Sequence, residues 1–307
     1  MLAFGEVQTG LLQNSTAVTG VRAAEVVDLV LGEPVRRFER PIAYAVSPDR
    51  PEGVDCRLPT ASGAHVHAVG TLITHAALVG GHVLQGSSHS ALIKGDSDRR
   101  QPWSHYLGHP GCLETIGRVR MNDVKDGLLT GTRDCAVLDL PAITGRILDD
   151  VQRSPLLDHR PALRAPRLRL RWVAETGART LAAEFAVRSE ELRTFRISVP
   201  GEDLSDVVAL CEDLALHDWL LTTLSTLVEK ALTGDRQRRE RVSGLQPAVD
   251  HLLHLWMPAV RVAPDLLPVW DALEMRPGFS RQWKTLVRRV RDQLTMSALA
   301  LLEARRD

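Results

Sequence analysis

Histidine is concentrated in one stretch of this chain, and metal ligation is the first chemistry such a concentration could support. Seven of the eleven histidines fall between 65 and 109: His65, His67, His75, His82, His89, His105 and His109. Strand residues two apart point the same way, so His65 and His67 could chelate one metal, with His75 and His82 as further ligands. Asp and Glu are missing from 58–93, so no carboxylate of that stretch completes a mixed ligand set. His105 and His109 would share a face only in a helix, which Gly108 and Pro110 oppose. The competing reading is neutral imidazoles hydrogen-bonding within an uncharged sheet. Histidine number without fixed spacing favours that reading.

A second constellation is His217-Asp218, in Leu-Ala-Leu-His-Asp-Trp-Leu-Leu. Adjacent His and Asp on a helix are what HD-type metal phosphohydrolases use to hold a catalytic metal. Those enzymes also need a histidine upstream and an aspartate downstream, on other helices. Asp250, His251, His254 and Asp271 are downstream candidates, but the near upstream histidine, His159, sits among prolines. The dipeptide alone specifies little. The simpler reading puts His217 at a core-facing seam position and leaves Asp218 as a solvated surface acid.

The common catalytic signatures are absent. No two glycines lie two positions apart, which removes the dinucleotide fingerprint, and none of the four lysines follows a glycine, which removes the P-loop. No histidine precedes a glutamate, and Gly278-Phe279-Ser280 lacks the closing glycine of a nucleophile elbow. No cofactor is expected, and a non-enzymatic role is favoured.

Charge speaks to partners. The chain carries 38 Lys+Arg against 38 Asp+Glu, a formal net charge of zero, which argues against a globally basic nucleic-acid binder. The distribution is uneven. Glu202, Asp203, Asp206, Glu212, Asp213 and Asp218 form an acidic run without a base, and Glu212 and Asp213 are taken as an interaction face. Arg236, Arg238, Arg239 and Arg241, then Arg288, Arg289 and Arg291 on the last helix, form basic faces. These could dock an acidic protein surface or a nucleic acid. Aromatic platforms between the arginines are lacking, so nucleic acid is the weaker option.

These residues need a frame. Residues 2–9 suit an edge strand, Thr19 caps a short helix closed by Gly32, and 41–93 suit a small buried sheet with a hairpin turn at Gly80-Gly81. A helix is expected over 139–152, with Pro141 in its first turn. Beyond a Pro/Arg-rich segment, 167–174, 180–188 and 192–199 suit an antiparallel meander. Val207, Leu214, Leu221 and Val228 repeat every seven residues and mark one long amphipathic helix. Helices over 247–257, 264–273 and 281–303 follow. The expectation is an α+β protein: an N-terminal domain over 1–153, a linker over 154–166, and a meander with a helical bundle over 167–307. Cys56, Cys112, Cys135 and Cys211 show no CxxC, the start lacks a basic n-region, and no apolar run reaches membrane-spanning length. A cytoplasmic, membrane-free protein is expected.

Four segments carry a resemblance: 54–64 (Val-Asp-Cys-Arg-Leu-Pro-Thr-Ala-Ser-Gly-Ala), 80–88 (Gly-Gly-His-Val-Leu-Gln-Gly-Ser-Ser), 102–107 (Pro-Trp-Ser-His-Tyr-Leu) and 211–224. They resemble an actinobacterial protein family of unknown function, typically encoded beside a variant P-loop protein and a methyltransferase-like protein. The resemblance implies a cytoplasmic component working with those co-encoded partners. It carries over no catalytic residue.

Overall fold

The charge-free stretch becomes β5 (His65–Val79) and β6 (Val83–Lys94), two strands joined at Gly80-Gly81 with φ of +56° and +72°. Both faces of this hairpin are covered, so its residues are apolar or small on either side. The computed structural model describes residues 1–95, 97–117, 119–130, 137–233 and 238–303, with backbone alone over 232–233, 238–243 and 300–303. Cys135, Arg236 and the side chains of Arg238, Arg239, Arg241 and Leu301 therefore lie outside the described residues.

The protein is a mixed α+β fold built on one ten-stranded sheet. β1 (Leu2–Leu11) lies in the sheet interior, pairing antiparallel with β6 on one side and with β8 (Leu168–Thr176) on the other. The expected edge strand is thus a central one. Its alternation is weak because both of its faces are buried, and even Glu6 is paired with Arg171 at 3.1 Å. Beyond β6, β5 pairs with β3 (Tyr44–Val46), β4 (Arg50–Pro59) and β7 (Cys112–Thr115), and β3 pairs with β2 (Arg36–Phe38).

The three later strands form where expected, but not as a meander. β10 (Leu192–Val199) lies between β8 and β9 (Ala182–Val187), parallel to the first and antiparallel to the second. Burial explains the order. β8 and β10 carry the apolar runs that belong inside, whereas β9 is largely exposed and takes the edge.

One sheet face carries Ala3, Val7, Trp172 and Phe195 against α5 (Leu204–Thr233). The opposite face packs on α3 (Met121–Thr130) and α4 (Leu140–Gln152), and on α1 (Gly20–Val26) farther along. The short α2 (Trp103–Leu107) lies beside β5. α6 (Arg238–His251), α7 (Leu267–Met275) and α8 (Phe279–Glu303) cover α5 from outside. Pro247 falls inside α6 rather than starting a helix. Sandwiched in this way, α5 buries every residue from Cys211 to Leu220.

Strands from both sides of the expected boundary at 154–166 share this sheet. The segment itself is anchored: Asp158 accepts from the Ser15 backbone, Leu157 and Leu163 are buried, and the Pro166 carbonyl accepts from the Trp219 indole at 2.8 Å. Its prolines suggested a linker, while its leucines give it a packed position.

Gly127 offers a check on α3 packing. In an open helix interior, Gly→Ala gains about 0.5–1 kcal/mol. Here a Cβ would sit 2.4 Å from the Pro59 carbonyl oxygen and 2.5 Å from Thr60 Cα, both backbone. Gly127→Ala is expected to lose about 1–3 kcal/mol by urea denaturation. A gain in stability would contradict the close approach of α3 to the end of β4.

Candidate functional site

The four candidate metal ligands His65, His67, His75 and His82 do not converge, although His105 and His109 do meet, with ring centroids 5.5 Å apart. His65 and His67 begin β5 at the surface, and His67 bonds Asp55 at 2.6 Å. His75 lies eight residues further along the same strand, about 26 Å away at 3.3 Å per residue. His82, beyond the hairpin turn, packs on His251 with ring centroids 4.3 Å apart. Burial and the neighbouring His251 and His254 push His82 down to about 4, so it is neutral. No group of three or more His, Cys, Asp or Glu arranged to hold a metal occurs among the described residues.

His217 and Asp218 are also separated, because neighbours on a helix point about 100° apart. His217 is fully buried between Trp256 and Trp270, with ring centroids at 4.9 and 5.4 Å. Its Nδ1–H donates to the Asp213 carbonyl one turn back at 2.7 Å. Asp218 turns the other way and accepts from Arg193 at 2.9 Å. It is buried rather than solvated; burial raises its pKa and Arg193 opposes that rise. Neither arrangement presents the pair to a shared metal.

The acids taken as an interaction face are interior. Glu212 and Asp213 are each 1% exposed. Glu212 bridges two cations: His75 Nε2 at 2.5 Å on Oε1, and Arg261 at 2.8 Å on Oε2. His75 Nδ1 meets the surface residue Asp49 at 3.3 Å, and Arg261 lies over the Tyr44 ring at 4.7 Å. Asp213 Oδ2 accepts from the backbone of Ala259, a residue held at φ of +62°, at 2.8 Å. Burial alone would neutralise Glu212, but His75 and Arg261 outweigh it and hold the carboxyl well below its ordinary range. Burial likewise opposes the charge on His75, yet Glu212 and Asp49 lift it to about 9. A closed, charged triad thus rivets β3 and β5 to α5 and to the segment before α7. Its residues are occupied with one another, which is structural work.

Open concave surface lies elsewhere. A groove of about 1040 Å³ runs between the β9–β10 edge, the second half of α5 and the start of α8. Arg193 and Asp218 form its floor, where Arg193 also donates to Thr222 Oγ1 at 3.1 Å and to the carbonyls of Ser189 and Glu190. Phe185, Val187 and Phe279 supply an apolar wall, and Arg276, Arg281 and Arg289 stand around the groove, all exposed. Among the described residues, no carboxylate pairs with any of these three guanidinium groups. The lining contains no histidine, cysteine or lysine, and its acids are Asp218, held by Arg193, and Glu229.

Of the arginines singled out by sequence, Arg289 lines this groove, while Arg288 and Arg291 are exposed elsewhere on α8. Arg193, Arg276 and Arg281 carried no motif. Only their clustering in space distinguishes them. No described helix is long and apolar enough to cross a membrane. No family model, curated protein or solved structure matches the chain.

Proposed function

We propose that this protein is a non-enzymatic adaptor or subunit of a multi-component cytoplasmic system, holding its partner through the arginine-walled groove. One observation carries this reading. The groove between the β9–β10 edge, α5 and α8 is lined by hydroxyls, apolar rings and three guanidinium groups that have no carboxylate partner among the described residues, and its lining holds no histidine, cysteine or lysine. Such a surface is suited to holding an anionic partner rather than transforming it. The chemistry-bearing residues flagged by type and spacing, His75, Glu212 and His217, are committed to the interior and leave that surface to recognition.

The co-encoded P-loop and methyltransferase-like proteins implied by the resemblance are the partners to try first. Tagged chain would be expressed beside each of them, as wild type and as Arg276→Glu/Arg281→Glu/Arg289→Glu. The wild type should retain a partner in stoichiometric amount and the variant should lose it. A wild-type chain that stays strictly monomeric and retains neither partner would sink the reading.

A further inference from the structure

Beside the groove lies the exposed edge of the sheet. β9 pairs with β10 along one side only, and no strand covers its outer side among the described residues. Such an edge presents unpaired backbone N–H and C=O groups ready for an added strand. Phe185 and Val187 project from β9 into the groove, as does Arg193 from the β10 position opposite Val187. β9 contains no proline and no lysine, two of the residues that blunt sheet edges. Its one charged residue, Glu184, alternates with the groove-facing positions.

We infer that the groove takes an extended acidic segment of a partner protein, added as a strand to the outer edge of β9. This deepens the adaptor reading and rests on it. Side chains alternate along a strand, so every second residue of the added segment would project onto the face that Phe185 and Val187 share. Aspartate or glutamate at those positions would enter a space walled by Arg276, Arg281 and Arg289, which lack carboxylate partners among the described residues. Each such contact is a charge-assisted hydrogen bond, and guanidinium groups match carboxylates in a two-pronged geometry. Backbone pairing would give affinity and the alternating acids would give selectivity.

The probe is a labelled synthetic peptide alternating glutamate with threonine, titrated into the full-length protein and followed by fluorescence anisotropy. Saturable binding to wild type is expected, weakened by about tenfold or more, roughly 1.4 kcal/mol, in Arg276→Glu/Arg281→Glu/Arg289→Glu. Two N-methylated peptides supply a backbone readout independent of charge. In a strand, the N–H groups of alternate residues point to opposite edges. Methylation of one set, either all glutamates or all threonines, should therefore abolish binding while methylation of the other leaves it intact.

Equal binding by both methylated forms would overturn the strand and leave a simple anion site. A single-stranded oligonucleotide of the same charge binding as tightly would overturn the peptide assignment. No peptide binding, with partner capture still lost in the arginine variant, would overturn this inference while leaving the adaptor reading intact.

Discussion

Glu212→Gln is expected to lower folding stability by about 3–5 kcal/mol, the scale of a buried pair broken on one side. The reason lies in what is left behind. Glu212 is 1% exposed and is the shared counter-ion of His75 and Arg261. Glutamine keeps the shape but leaves the buried His75 and the half-buried Arg261 facing a neutral amide, with the surface Asp49 beside His75 as the remaining counter-ion. His75 can shed its proton, while Arg261 cannot. A shared urea-denaturation series would show the midpoint drop without loss of cooperativity. Replacing all three members by apolar residues of similar volume should cost far less, since no uncompensated charge remains. A loss under about 1 kcal/mol in Glu212→Gln, the size of an exposed pair, would mean that the triad is not closed.

The histidines set a second expectation, a stability maximum near pH 6.5 with a fall on either side. His75 has its folded pKa raised from 6.5 to about 9. Its contribution is fully present below pH 6.5 and disappears as pH rises through about 9. His82 and His89 are displaced the other way, from 6.5 to about 4, mainly by burial. Their neutral forms stabilise the fold above pH 6.5, and that contribution drains as pH falls toward 4. Each pKa unit is worth about 1.4 kcal/mol, so each limb should span a few kcal/mol. His75→Gln should flatten the alkaline limb and His82→Gln should shrink the acid limb. Identical profiles for wild type and both variants would contradict the assignment.

Much of the frame was legible because burial leaves a pattern. The absence of charge over 58–93 marked β5 and β6 as covered on both faces, and the seven-residue repeat from Val207 marked α5. The same logic failed where burial is complete. A helix carrying Glu212, Asp213 and Asp218 reads as having a solvated face, yet α5 lies between the sheet and α6–α8 and has no such face over that run. Glu212 and Asp218 are matched by bases distant in sequence, His75, Arg261 and Arg193, and Asp213 by the backbone N–H of Ala259. Arg261 sits in an irregular segment with no periodicity to announce it. Strand order was hidden because β8–β10 were read as neighbours in sequence order, and only relative burial sends β9 to the edge. The groove was least visible of all. It is assembled from β9, β10, α5 and α8, and of its lining residues Asp218 and Arg289 were marked in sequence, while Phe185, Arg193, Arg276 and Arg281 carry no motif.

The charged interior around Glu212 is separate from the groove beside β9, the one holding the fold and the other open to a partner. Hydrogen–deuterium exchange on the protein with its captured partner, compared with the free chain, tests that separation most directly. Protection should appear over Ala182–Val187 of β9 and at the start of α8, with His75 and Glu212 already slow to exchange in the free chain. Protection confined to the opposite sheet edge at β2, or to the α1–α4 face, would contradict it.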